Sequence, residues 1–316
     1  MITGFITSDT YLKHKTGSEH PESPQRLEAI INSLKSSGLW DQLYHINPTI
    51  QGETNYVNLV HPMSYQKRFQ DAVDMGDTFF NSSDNPISND TYMAANLAVS
   101  GTIQGINTIM NGQCNNAFAT IRPPGHHAEE SSAMGFCFFN NVAIAARYAK
   151  SIYNMDRIVI IDFDVHHGNG TQHIFEDDPS VMYISLHRFP FYPGTGAEDE
   201  IGRNDGRGYT INYPLSVHAG DDVYLDIVNN SIADKVLSYR PDLIILSSGF
   251  DAHELDPSGG MNVTTNGFNQ MTSTFKQLAD SSCNGRLLSV LEGGYSLKGL
   301  ADSVHGHLKI LSEESS

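Results

Sequence analysis

Short apolar runs rich in β-branched residues recur along the chain, and segments with helical periodicity separate many of them. Several runs are continuously apolar instead of alternating with polar residues, which is typical of parallel strands that are buried on both faces. The runs begin near residues 1, 116, 157, 180, 209, 242 and 286. The pattern therefore predicts strands at these places.

The clearest helical stripe lies in "SPQRLEAIINSLKSSG", with Ser23 as the predicted N-cap and Pro24 at the first helical position. Apolar residues recur there with a 3.6-residue period at Leu27, Ile30, Ile31 and Leu34. Further helices are predicted over residues 90–111, 140–154, 221–238 and 264–279. Strands and helices alternate without a long Pro- or Ser-rich linker, so one doubly wound α/β domain over residues 1–316 is predicted.

Clusters of polar residues follow four of the predicted strands. "NAFATI" leads into "RPPGHH", "RIVII" into "DFDVHHGNG", "DLIILSSGF" into "DAHELDPSGG", and "RLLSV" into "LEGGY". The carboxyl ends of parallel strands share one edge of a sheet, where ligand crevices form. We therefore expect the four clusters to meet in a single site.

Asp164 and His166 are candidate metal ligands because their spacing places both side chains on one face of an extended segment. Asp251 arrives from another strand end as a third candidate. Two carboxylates and one imidazole with open positions describe a catalytic metal site, and such a site accepts Zn²⁺, Fe²⁺ or Co²⁺. Asp162 lies deeper and can orient a histidine. The alternative is that the aspartates cap the next helix and the histidines are core residues.

His126 and His127 follow the turn-forming "RPPG" and are candidates for a general base and a general acid, because imidazole titrates near neutral pH. Tyr295 follows two glycines, and its hydroxyl can donate to a developing oxyanion. Together with a metal, these groups are the parts of a metallohydrolase.

The composition narrows the function classes. The formal net charge is −17, which argues against nucleic-acid binding. Cys114, Cys137 and Cys283 form neither a disulfide framework nor a C-x-x-C zinc knuckle, so a reducing compartment is expected. The first residues lack the pattern of a secretory signal, and no apolar run approaches a membrane span. A cytoplasmic protein is predicted.

The ordered motifs "HPESPQR", "RPPGHHA", "GFCFFNN", "DFDVHHGNGTQ", "PGTG", "GFDAH", "DPSGGM" and "LEGGY" resemble those of the histone deacetylase and acetylpolyamine amidohydrolase family. The resemblance implies a three-layer, arginase-like α/β fold with a mostly parallel sheet and helices on both faces. It also implies zinc at the three candidate ligands, an acid–base pair at His126 and His127, and a carbonyl-polarising Tyr295. Asp162 would support His126. Asn169 would support His127, a position where class I members carry aspartate and class II members asparagine.

The same resemblance assigns further positions around the substrate. Arg26 would line an internal channel, and a structural K⁺ or Na⁺ site would lie at the backbone near Asp162, Asp164 and His166, with Ser185 and Leu186. The residues expected to contact the acyl-lysine substrate are Asp84, Gly135, Phe136, Tyr192 and Ser258. Ser258 departs from relatives that carry a bulky apolar residue or a glutamate, which leaves selectivity at the mouth open.

A zinc-dependent deacetylase of class II type, acting on acetylated lysine in peptides or proteins, is the leading hypothesis. Deacetylation of an acetylpolyamine or another small metabolite is the first alternative, and a non-catalytic acyl-lysine binding protein is the second. The sequence leaves the oligomeric state open.

Overall fold

The computed structural model describes residues 1–50 and 55–314. The strands are β1 (Thr3–Ile6), β2 (Tyr44–Ile46), β3 (Phe79–Phe80), β4 (Ser82–Pro86), β5 (Asn116–Ala119), β6 (Ile158–Asp162), β7 (Val181–Arg188), β8 (Thr210–Leu215), β9 (Leu243–Ser248) and β10 (Leu287–Leu291). Short stretches of buried and largely apolar residues form β1, β5, β6, β7, β9 and β10, as their composition predicts.

Within the described residues, eight of these strands form one sheet in the order β2-β1-β5-β10-β9-β6-β7-β8. Every pairing in this sheet is parallel. The two remaining strands, β3 and β4, pair with each other in an antiparallel hairpin. The predicted parallel α/β architecture is therefore confirmed.

Helices connect most of the strands, and the longer ones bury several apolar residues each. They are α1 (Gln25–Ser37), α2 (Met63–Met75), α3 (Thr91–Met110), α4 (Asn141–Tyr153), α5 (Asn169–Phe175), α6 (Asp221–Asp226), α7 (Ala233–Tyr239), α8 (Thr265–Cys283) and α9 (Leu297–Ser312). A π-helical stretch, Ile227–Ile232, joins α6 to α7, so the predicted helix over 221–238 is continuous but irregular in its middle.

Helices cover both faces of the sheet, as the alternation of side chains along β10 shows. Leu288 points toward α3, where a methyl group added to Gly105 would collide with it. The next residue, Ser289, lies 2.9 Å from Nε2 of His307 on α9. Successive residues of a strand face opposite sides. Helices α3 and α9 therefore lie on opposite faces, and the molecule has three layers.

Some sequence-based boundaries need correction. Helix α1 begins at Gln25, so Pro24 precedes the helix and the predicted cap at Ser23 is displaced by one residue. The sequence pattern did not single out β2, the β3–β4 hairpin, α2 or α9.

Cys114, Cys137 and Cys283 are all buried and unpaired with one another. Across residues 1–50 and 55–314, no helix has both the length and the apolarity needed to cross a membrane.

Candidate active site

The four polar clusters follow β5, β10, β9 and β6, which are consecutive neighbours in the sheet. Their carboxyl ends therefore form one edge, and the side chains that follow them converge there. A cavity of about 270 Å³ lies at this edge and is lined by Asp84, His127, Gly135, Phe136, His166, Tyr192 and Tyr295. Groups from three of the four clusters reach this site or its floor, and Asp251 of the fourth lies directly beneath it against His166.

The candidate metal ligands form a compact group. Nδ1 of His166 lies 3.1 Å from Oδ1 of Asp164 and 3.2 Å from Oδ2 of Asp251. The potential ligand atoms of the three residues all lie within 4.8 Å of one another. Both carboxylates are buried, while His166 retains slight exposure toward the cavity.

The charges of the three candidate ligands strongly affect one another's pKa values. Burial by itself lowers the pKa of His166, but hydrogen bonds and charges from Asp164 and Asp251 outweigh it and raise that pKa to about 10. Burial, together with the charge of Asp164, raises the pKa of Asp251 to about 7. Burial alone would raise the pKa of Asp164 as well, but His126 and His166 hold it well below its usual value. Two buried carboxylates are stable side by side only with a positive charge between them.

The donor set fits a divalent ion. Two ligands held about 2.1 Å from a tetrahedral zinc are roughly 3.4 Å apart, close to the separations seen here. Oδ2 of Asp251 is buried and accepts no hydrogen bond of good geometry from the described residues, although Nδ1 of His166 is near. Glycines make the close approach possible, because a side chain at Gly249 or Gly293 would collide with the ligand carboxylates.

His126 is held by an aspartate. Its Nδ1 lies 3.0 Å from Oδ2 of Asp162, which also accepts a hydrogen bond of 3.1 Å from the hydroxyl of Tyr183. Burial lowers the pKa of His126, but the charges of Asp162 and Asp164 outweigh burial and raise the pKa to about 10. Asp162 is not among the three candidate metal ligands, and burial raises its pKa above the ordinary value although His126 opposes this.

His127 is held differently. Its Nδ1 lies 2.8 Å from Oδ1 of Asn169, a neutral amide. Burial, followed by the charges of His126 and His166, lowers the pKa of His127 well below the ordinary value. The two adjacent rings, whose centroids are 4.0 Å apart, therefore favour opposite protonation states. One can act as an acid while the other acts as a base.

Glu292, in the quoted "LEGGY" but not assigned a role from the sequence, anchors the turn that carries both histidines. Its buried Oε2 accepts hydrogen bonds from the backbone N–H groups of Gly125, at 2.6 Å, and His126, at 3.1 Å. Its other oxygen accepts one from the hydroxyl of Ser247 at 3.0 Å. Burial raises the pKa of Glu292 to about 7.

Tyr295 lies on a loop that two polar side chains hold in place. Oδ2 of Asp256, another residue without a role predicted from the sequence, accepts hydrogen bonds from the N–H groups of Tyr295, at 2.6 Å, and Ser296, at 2.9 Å. Arg26 is fully buried, donates to the carbonyl oxygens of Glu292 and Gly294, and lies 5.1 Å from the centre of the Tyr295 ring. Arg26 therefore packs against the ring of Tyr295.

The wall of the cavity contains an unusual backbone segment. Gly135 and Phe136 have φ values of 56° and 70°, in the left-handed region that is uncommon for phenylalanine. Two side chains of the β3–β4 hairpin hold this segment: Asp84 accepts from the N–H of Gly135 at 3.0 Å, and Asn85 accepts from that of Phe136 at 2.9 Å. Strain of this kind concentrates at functional sites.

Of the remaining residues expected at the mouth, Tyr192 and Asp84 line the cavity and Ser258 does not. The hydroxyl of Tyr192 lies 3.4 Å from Oδ2 of Asp84, and its ring packs 5.2 Å from that of His127, so both Tyr192 and Asp84 belong to the cavity. Ser258 is not among the residues lining the cavity. Its hydroxyl donates to Oδ1 of Asp256 at 2.6 Å.

Comparison with known proteins identifies the family. The histone deacetylase domain matches residues 20–311. The chain belongs to the histone deacetylase family. The resemblance found in the sequence motifs is therefore confirmed, and with it the membership of a family of amide-hydrolysing enzymes.

Relatives of this deacetylase-family chain include a probable deacetylase of Archaeoglobus fulgidus, 36% identical over 95% of this chain and 83% of the relative. Histone deacetylase 15 of Arabidopsis thaliana is 40% identical over 94% of this chain and 53% of its own length. The crystal structure of the HDA15 HD domain superposes with a TM-score of 0.93 at 37% identity, covering 98% of this chain and 88% of that one. The chain thus spans most of the archaeal relative but about half of the plant relative.

Proposed function

We propose that the protein is a metal-dependent deacetylase that hydrolyses the acetyl amide of lysine side chains in peptides or proteins. The observation that carries this proposal is the meeting of two histidines of opposite protonation preference, a tyrosine hydroxyl and a three-ligand cluster around one cavity. Family membership supports the chemistry, since these parts suit metal-assisted amide hydrolysis.

Asp164, His166 and Asp251 would hold the ion, with Zn²⁺ as the proposed metal and Fe²⁺ or Co²⁺ as alternatives for the same donor set. A bound divalent ion supplies Lewis acidity to an amide carbonyl and lowers the pKa of water.

The side chains of the chain divide the proton transfers between them. His127 is neutral, so its Nε2 can accept a proton from the attacking water. His126, kept cationic by Asp162, is the proposed proton donor to the departing amine. Burial raises the pKa of Tyr295 well above its ordinary value, so its hydroxyl stays protonated and can donate to the oxyanion.

The shape and charge of the cavity favour a long cationic side chain as substrate. Phe136 and Tyr192 offer aromatic surface to the methylene stem of an acyl-lysine, and Asp84 lies at the same wall with a carboxylate. The net charge of −17 attracts cationic peptides.

An acetylpolyamine is the second candidate substrate, because Asp84 can also attract a distal ammonium group. Ser258 contributes no charge that would select between the two substrates. Relative kcat/KM on acetyl-lysine peptides and acetylpolyamines separates these candidates. A protein that binds acyl-lysine without turnover would release no acetate.

Two minor elements complete the proposal. Three buried free cysteines support a reducing, cytoplasmic location. A structural K⁺ or Na⁺ is proposed at the backbone near Asp162, Asp164 and His166, with Ser185 and Leu186, because oxygen ligands suit a hard cation. A rise of the melting temperature on adding potassium would support that site.

The test of the function combines metal content with turnover. Asp164→Ala, His166→Ala and Asp251→Ala are each expected to lose the bound metal, measured by elemental analysis, and to reduce acetate release from an acetyl-lysine peptide to background. Asp302→Ala, which removes a carboxylate from the surface of α9, is the control and should keep both. A ligand variant with full metal content and wild-type turnover would contradict the assignment of that residue.

A further inference from the structure

The buried amide of Asn169 has different partners at its two ends. Its oxygen faces Nδ1 of His127 at 2.8 Å. Its nitrogen donates to Oε1 of Glu129 at 2.5 Å, and more weakly to the carbonyl oxygen of His127 at 3.3 Å. Glu129 lies two residues after His127, so the three groups form a closed local network.

The two ends of this amide have opposite hydrogen-bonding roles. A carboxylate accepts hydrogen bonds and cannot donate them, so Glu129 can pair only with the nitrogen end of Asn169. This pairing turns the oxygen end toward His127. An amide oxygen only accepts, so Nδ1 of His127 must carry the proton, and Nε2 is left with a free lone pair.

Glu129 is itself held in place. Nδ1 of the partly exposed His173 lies 2.8 Å from the same Oε1, and this contact raises the pKa of His173 above its ordinary value. The backbone N–H of Glu129 donates to the carbonyl oxygen of Ser132 at 3.0 Å. The carboxylate therefore faces Asn169 in a fixed position between α5 and the loop that follows His127.

We propose that Glu129 is a positioning residue that orients the amide of Asn169 and thereby fixes the tautomer of His127 in which Nε2 is free to accept a proton. This inference rests on the proposed role of His127 as general base. If Asn169 turned its nitrogen toward His127, Nδ1 would have to accept, the proton would lie on Nε2, and the base would be blocked.

The orienting role predicts that the effect of Glu129 depends on the group at position 169. A carboxylate at that position accepts at both ends and needs no orientation, so Asn169→Asp removes the requirement for Glu129. It also places two carboxylates side by side, which makes the loss of Glu129 neutral or favourable. A structural role alone would give the same loss in both backgrounds.

The kinetic test compares four metal-loaded proteins: wild type, Glu129→Ala, Asn169→Asp and the double variant. Glu129→Ala should lower kcat about 10-fold with little change in KM, a loss within the range for one charge-assisted hydrogen bond, since the His127 carbonyl still accepts from Asn169. Within the Asn169→Asp background, Glu129→Ala should leave kcat within about 2-fold or raise it. This difference between the two backgrounds is the non-additivity that the orienting role predicts. Glu130→Ala, which removes the adjacent exposed carboxylate, is the control and should match wild type.

Equal losses of kcat from Glu129→Ala in both backgrounds would overturn the proposal, as would wild-type kcat in the single variant. If wild type itself released no acetate from an acetyl-lysine peptide, the proposed function would fail, and the tautomer would then decide the inference. The ¹⁵N chemical shifts of His127 report it directly, with His127→Asn used for assignment. A proton on Nδ1 in wild type and a shift toward Nε2 in Glu129→Ala support the inference, and a proton on Nε2 in wild type overturns it.

Discussion

At the scale of single residues, the hydroxyl of Tyr295 depends on its surroundings for both its position and its protonation state. The ring lies 6.0 Å from that of Phe136 on one side and 5.1 Å from the guanidinium of Arg26 on the other. Burial disfavours the phenolate and raises the pKa well above the usual value, although Arg26 partly opposes this. The hydroxyl therefore stays a donor at neutral pH.

Tyr295→Phe removes that donor without removing the ring. An interaction that is formed chiefly in the transition state affects kcat more than KM. We expect kcat on an acetyl-lysine peptide to fall about 100- to 1,000-fold, as for loss of one oxyanion donor. Metal content, measured on the same sample, should not change.

Tyr192→Phe is the matched control, because Tyr192 lines the same cavity but its hydroxyl faces Asp84. Its kcat should stay within about 3-fold of wild type, since its weak hydrogen bond contributes little. Equal losses of kcat in the two variants would contradict the role assigned to the Tyr295 hydroxyl.

At the scale of secondary-structure elements, the loop between β9 and α8 fixes the start of α9. Asp256 of that loop accepts hydrogen bonds from Tyr295 and Ser296, immediately before the first turn of α9, where a negative charge is favourable. The side chain of Ser296 in turn caps the helix by accepting from the N–H of Gly299 at 3.2 Å. Asp256 thus couples the position of the tyrosine to a helix end.

Asp256→Ala should therefore lower both stability and kcat. Loss of a nearly buried carboxylate with two short backbone hydrogen bonds is expected to cost about 2 kcal/mol in the free energy of unfolding, measured with urea. We expect kcat to fall about 10-fold, because without Asp256 the Tyr295 hydroxyl is held less firmly at its proposed position beside the substrate carbonyl.

Glu254→Ala, an exposed change in the same loop, is the control for Asp256→Ala and should leave kcat and the unfolding midpoint unchanged. A stable Asp256→Ala protein with wild-type kcat would show that the loop does not position Tyr295.

The strands of the sheet were predictable because most are continuous apolar runs, as in Ile158–Asp162. Strands of two or three residues, such as Phe79–Phe80 and Tyr44–Ile46, are too short for a periodicity to show. The stripe of α9, with Leu300, Val304 and Leu308, was present in the sequence but lies among glycines, serines and histidines that favour helix weakly.

The candidate site was predictable to the extent that its chemistry is local in sequence. Asp164 and His166 are two residues apart, and the motif "DFDVHHGNGTQ" indicates both as candidate metal ligands. Glu292 and Asp256 act on backbone groups 167 and 39 residues away, respectively. No local pattern distinguishes such a carboxylate from one exposed to solvent, so their roles required the three-dimensional structure.

At the scale of the whole molecule, several histidines outside the candidate metal site are buried as neutral groups. Burial lowers the pKa of His14 and of His307 to about 3, and that of His61 to about 4. Each makes hydrogen bonds as a neutral ring. His307, for example, bridges Thr272 at 2.8 Å and Ser289 at 2.9 Å, which ties α9 to α8 and to β10.

These histidines make stability depend on pH with a definite sign. The pKa is near 6.5 in the unfolded chain and lower in the folded protein, so between these values the unfolded state binds more protons. The free energy of unfolding therefore rises with pH up to about 6.5 and decreases as the pH falls below that value. Each such histidine contributes a decrease of about 1.4 kcal/mol per pH unit within that window.

His307→Gln tests this dependence at one position, because glutamine can still bond Thr272 and Ser289 but does not titrate. The variant is expected to be less stable than wild type at pH 7, where the packing of the ring against Phe118 and Phe250 is lost. Between pH 7 and pH 5, however, its free energy of unfolding should decrease by about 2 kcal/mol less than that of wild type, measured by urea denaturation. His305→Gln, a change at a partly exposed position of the same helix, should follow the wild-type curve. Parallel curves for wild type and His307→Gln would contradict the prediction, because they would mean that His307 binds protons equally in the folded and unfolded states.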